Sequence, residues 1–138
     1  MEADLLLCDH AEAINGKLYI MGAAWNVLQA PNQAITIALA IVVKVAWDEA
    51  EQSHELLAEL LTADGDRVVI NDEAVAPSGR FELGRPSGVK PGSTLNMPLA
   101  FNLSGIVLDV GQYEWRLTID GDTVARAPFS VIEGFATT

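Results

Sequence analysis

Two runs of residues joined by one turn constrain this chain more than any other feature. From Asp109 to Val131, Tyr113, Trp115, Leu117 and Ile119 alternate with Gln112, Glu114, Arg116, Thr118 and Asp120, the period of a strand with one dry face and one wet face. Past Asp120-Gly121 the apolar parity continues at Ala125, Ala127, Phe129 and Val131. Odd positions face odd positions across an antiparallel pair only when the loop holds an odd number of residues. The pattern therefore predicts a three-residue connection around Asp120-Gly121, with Gly121 supplying the positive φ.

The chain has 138 residues, enough for a single domain over 1–138 that buries about two-thirds of the surface its unfolded form exposes. One cysteine, Cys8, excludes an intrachain disulfide, and the opening Met-Glu-Ala-Asp has no basic leader. A reducing cytoplasm is the expected location. With 19 acidic and 8 basic side chains, the net charge of −11 repels nucleic acid and anionic lipid, so neither is an expected partner. Apolar residues make up 50% of the chain, high for so acidic a small domain, which points to burial beyond one core and hence to oligomerisation.

In chain order, Ala3 to Ile14 and Lys17 to Trp25 flank Asn15-Gly16, the strongest short hairpin signal. Closure there pairs Ala13 with Leu18, Ala11 with Ile20 and Leu7 with Ala24, an apolar face expected in the core. The opposite face carries Leu6, Cys8, His10 and Glu12 against Trp25, Ala23, Met21 and Tyr19, the mixture expected of a partner-binding face. Ala34 to Trp47 places large residues at odd positions and small ones at most even positions. That asymmetry predicts a long central strand whose second face is closely covered, and the run is too short for a membrane helix.

Local propensity favours helix over Asp48 to Leu61, but Leu61-Thr-Ala-Asp-Gly-Asp-Arg-Val68 repeats Leu117-Thr-Ile-Asp-Gly-Asp-Thr-Val124 in six of eight positions. The same turn chemistry predicts strand over His54 to Ala63, with Gly65 in the role of Gly121, and an antiparallel hairpin at each copy. Short strands follow at Arg67 to Val75 and Arg80 to Leu83, then a loop from Gly84 to Ser93 and an alternating strand from Thr94 to Leu103. About nine strands without a helix make an all-β, antiparallel two-sheet β-sandwich the expected fold.

Asp109-Val-Gly111-Gln-Tyr113-Glu-Trp115 resembles the approach to the penultimate strand of immunoglobulin-like domains, where Asp-x-Gly-x-Tyr-x-Cys forms a tyrosine corner. Trp115 stands where the cysteine would be. The resemblance implies an immunoglobulin-like sandwich in which the Tyr113 hydroxyl bonds to backbone near Asp109. More broadly, Leu6-Leu-Cys-Asp9, Asn15-Gly-Lys-Leu18, Met21-Gly-Ala-Ala-Trp25, Gly84-Arg-Pro86 and Tyr113-Glu-Trp-Arg-Leu117 with Asp120-Gly121 resemble a family of small, acidic bacterial proteins, mainly of actinobacteria, that implies no activity.

Cys8, His10 and Glu12 form the best cluster for metal or nucleophilic chemistry, but side chains two apart on a strand stand about 6.6–7 Å apart, too far for a direct dyad. Asp64-Gly65-Asp66 and Asp120-Gly121-Asp122 read as turn chemistry; neither shows the spaced acidic run of a calcium loop. Trp47 and Trp115 fall on core parity. No catalytic residue, cofactor or metal site is expected. The primary expectation is a non-enzymatic module that self-associates, an assembly component such as a phage-derived shell or tail accessory, through Leu6, Tyr19, Met21, Trp25 and Phe135. The alternative is a small-ligand or carbohydrate-binding sandwich, which needs an exposed Trp25 or Trp47 beside a carboxylate. An enzyme using Cys8 and His10 ranks last.

Overall fold

The computed structural model describes residues 1–134. Twelve strands run in order: β1 (Glu2–Cys8), β2 (His10–Ile14), β3 (Lys17–Met21), β4 (Val27–Leu28), β5 (Ile35–Val45), β6 (Ser53–Thr62), β7 (Val69–Ile70), β8 (Glu73–Ala74), β9 (Ser78–Glu82), β10 (Leu95–Ile106), β11 (Gly111–Ile119) and β12 (Asp122–Val131). A 3-10 turn over Trp47–Glu49 separates β5 from β6, and the described residues contain no α-helix. The number exceeds the expected nine because the opening strand divides at Asp9 and because β4, β7 and β8 are two-residue pieces.

A three-stranded sheet, β1-β5-β10, faces a five-stranded one, β4-β12-β11-β6-β9; every pairing is antiparallel except β4 with β12. The odd residues of β5, Ile37 to Val45, share one buried cluster with Leu56, Ala58 and Leu60 of β6, Trp115, Leu117 and Ile119 of β11, and Phe129 and Val131 of β12. The arrangement is sandwich-like. Each fully buried large side chain contributes about 1.5–3 kcal/mol, and Trp115 is the largest of them. Leu95, Met97, Leu99, Phe101 and Leu103 pack on the same cluster from β10, as their alternation predicts.

The β11–β12 connection corrects the expected three-residue loop. Asp120 and Gly121 alone form the turn, with φ of 52° and 86°, and Ile119 pairs with Asp122. The odd residue sits instead in a bulge at Val124, because Thr118 pairs with Thr123 but Leu117 pairs with Ala125. A bulge and an odd loop restore parity equally, so alternation fixes the extra residue's existence and not its place. Beyond the bulge Tyr113 faces Phe129 and Trp115 faces Ala127, odd positions opposite odd as the alternation requires.

The other copy of that motif also turns the chain back, around Ala63 to Gly65, with Thr62 N–H donating to Asp66 O at 2.8 Å. Only one bridge, Leu61 to Arg67, follows it. The returning chain leaves to form the β7–β8 hairpin, whose turn residues Asn71 and Asp72 have φ of 53° and 66°. The expected strand over 67–75 is thereby cut in two. Strand β6 matches its predicted span, tertiary pairing with β11 and β9 overriding local helix propensity.

Candidate functional site

Asn15-Gly16 forms the expected turn, with φ of 52° and 74°, and pairs Ala13 with Leu18 and Ala11 with Ile20. The strands do not continue as one long hairpin. At Asp9 the chain leaves the β1–β5 sheet, and β2–β3 forms a separate two-stranded ribbon. Gly22 makes the break possible: its φ is 66°, and a Cβ there would lie 2.2 Å from the Asp9 carboxylate. Beneath the ribbon, Cys8, Ala11, Ala38 and Ala40 form a second buried cluster, with Leu18 and Ala100 against it. The small even residues of β5 are small because this ribbon lies on them. Asn102 of β10 fastens it, accepting from Ala11 N–H at 3.1 Å and donating to Ala11 O at 2.7 Å.

The face turned away from the body carries His10, Glu12, Tyr19 and Met21, with Met21 70% exposed and Tyr19 55%. His10 Nε2 lies 3.1 Å from Glu12 Oε1. An open groove of about 560 Å³ is lined by His10, Glu12, Leu18, Tyr19, Ile20 and Met21. Both strands of the ribbon line it.

The mixed face of the sequence is only partly assembled. Leu6 is 44% exposed, but on β1, opposite Ala40. Trp25 is half-buried and turned toward the core: its indole packs edge-on against Phe129 at 6.0 Å, with Nε1 buried and unpartnered. Phe135 lies outside the described residues. On the face expected in the core, Leu7 and Ala11 are buried, whereas Ala13, Ile20 and Ala24 are exposed.

Cys8 is separated from His10 by the bend and fully buried, its thiol donating to Ala38 O at 3.6 Å. Burial, then the neighbouring Asp9 charge, pushes the thiol up from its ordinary value, so the thiolate needed for nucleophilic chemistry is disfavoured. Among the described residues, no group of three His, Cys, Asp or Glu side chains is placed to hold a metal ion. Trp47 leaves the core parity assigned to it; it sits half-buried in the 3-10 turn with Arg85 5.1 Å over its ring. Trp25 and Trp47 are both half-buried. A second open cleft, about 490 Å³, lies over β6, β9 and β11, where Arg80 and Glu55 pair across it. No described helix is long and apolar enough to cross a membrane.

The Tyr113 hydroxyl donates to Asp109 O at 2.9 Å, the Tyr113 ring lies against Gly111 and stacks on Phe129 at 5.6 Å, and Trp115 is fully buried. His54 is the residue that sequence reasoning missed. It is buried, with Nδ1 2.6 Å from Asp120 Oδ2 and Nε2 2.7 Å from Glu49 O. The signal was present: His54 shares the core parity of Leu56, Ala58 and Leu60 on β6. Asn102 gave no such signal, being a polar residue on the outward parity of β10.

Among curated proteins none matches the chain. One family model matches residues 3–132, nearly the whole length, and by that match the chain belongs to the family of unknown function DUF6941.

Proposed function

We propose that this protein is a non-enzymatic interaction module with immunoglobulin-like topology that associates with its own copy through the β2–β3 ribbon. The strand order supports the topology: β1, β5 and β10 take the places of A, B and E, and β6, β11 and β12 those of C, F and G. Tyr113, bonded to the Asp109 carbonyl two residues before the buried Trp115, fits the tyrosine corner of such a domain.

The observation that carries the association is the free edge of β3, Lys17-Leu-Tyr-Ile-Met21, with Tyr19 and Met21 exposed beside it. Three other edge strands carry features that hinder strand addition. Pro98 lies within β10, Pro128 lies in β12 beyond the two residues that β4 covers, and an exposed ion pair with Glu55 holds Arg80 on β9. The β3 edge has only Lys17. Glu12 and Lys17 cancel, so apart from His10 the two strands of the ribbon carry no net charge on a chain of net charge −11, and two copies meet there with little repulsion. An antiparallel edge is its own complement about a dyad. A lone free thiol suits a reducing cytoplasm.

Sedimentation velocity across a concentration series tests this reading. Wild type should move from monomer to dimer as concentration rises and keep the dimer in high salt, since apolar and backbone contacts are weakly screened. A monomer throughout the micromolar range would contradict it.

A further inference from the structure

We propose that His54 is a proton-dependent latch: as an imidazolium it ties the Asp120-Gly121 turn and the 46–50 turn to the start of β6, and losing its proton frees one of them. The geometry is built for the charged ring. Nδ1 faces the Asp120 carboxylate at 2.6 Å and Nε2 faces the Glu49 carbonyl at 2.7 Å. Neither an ionised carboxylate nor a carbonyl donates, so the ring must donate through both nitrogens, and only the doubly protonated form does so. A neutral ring turns a lone pair toward one of these oxygens inside a site that is 6% exposed. Phe81 of β9, paired with His54 in register, closes the flank with its ring at 5.3 Å.

The charged groups around the ring are arranged to keep it protonated. From the β11–β12 turn comes Asp120, whose other oxygen accepts from Glu55 N–H at 2.9 Å. From the 3-10 turn comes Glu49, whose carboxylate accepts from Ala46 N–H at 3.0 Å and lies 3.9 Å from the chain's amino terminus. On β6 itself Glu55 is adjacent, its charge paired outward with Arg80 of β9. Burial disfavours the cation, but the Glu49 carbonyl, the Asp120 carboxylate and the Glu49 charge outweigh it and raise His54 above the ordinary 6.5. Because the folded value is the higher one, the latch contributes fully below 6.5 and is lost as pH rises through the folded value.

The test is a two-dimensional 15N imidazole NMR titration of the full chain, with amide exchange followed at the two turns. The expected result is a His54 ring carrying both protons at pH 6.5, titrating at higher pH, with amide protection at Ala50, Asp120 or Gly121, corrected for the intrinsic rise of exchange with pH, falling several-fold as it does so. Asp120→Asn removes the charge but keeps an acceptor for Glu55 N–H, and should lower the His54 midpoint; His54→Gln should abolish the pH-dependent step in exchange. A single-proton tautomer at pH 6.5, or turns whose protection does not change across the His54 titration, overturns the latch. The readout is internal to one copy, so failure of association leaves it unaffected.

Discussion

Tyr113 and Cys8 show how much a single side chain carries in this fold. The Tyr113 hydroxyl bonds to the Asp109 carbonyl at an exposed corner while its ring stacks on Phe129. Tyr113→Phe keeps the stack and loses the bond, so unfolding in urea should show a loss of about 0.5–1.5 kcal/mol; unchanged stability would mean that the corner is held by packing alone. Cys8 is the opposite case, a thiol with no exposed surface in a cluster of alanines. It should react with a thiol reagent only at the rate at which the chain opens, and Cys8→Ala should fold with a cost of about 1 kcal/mol. Rapid stoichiometric labelling of the native protein would contradict the burial and reopen nucleophilic chemistry at this position.

At the scale of elements, periodicity was a reliable guide and punctuation only a partial one. The alternation of Tyr113 to Val131 and the echo at Leu61 to Val68 specified strands that the fold contains, because each has one face in the core. The small even residues of β5 correctly announced a close cover. What alternation does not encode is where a strand stops being part of one sheet. The break at Asp9 rests on a contact between Asp9 and Gly22, far apart in sequence, and it separated Cys8 from His10 and Trp25 from Tyr19 and Met21. That is why Tyr19 and Met21 of the predicted mixed face are exposed together on the ribbon while Trp25 packs against Phe129. Two substitutions test the ribbon as an element. Gly22→Ala places a methyl group on the Asp9 carboxylate at a positive φ and should destabilise by more than about 1 kcal/mol. Asn102→Ala removes both bonds to Ala11 and should raise amide exchange across β2 and β3 while leaving β11 protected. Equal loosening of β11 would show that the ribbon is not a separate unit.

For the whole molecule, the same chain buries a large core and leaves the β3 edge, with Lys17 as its one charged residue, open on a chain of net charge −11. Trp25→Asp does not probe that edge, since the indole supports Phe129 and its loss damages the core. Met21, 70% exposed, is the better probe: Met21→Asp changes no buried contact and places a charge on the free strand. Light scattering of the wild-type and Met21→Asp proteins, side by side at high micromolar concentration and moderate salt, is the most direct measurement. The account predicts twice the chain mass for wild type and a folded monomer for Met21→Asp. A monomeric wild type, or a Met21→Asp protein that assembles as wild type does, would contradict it.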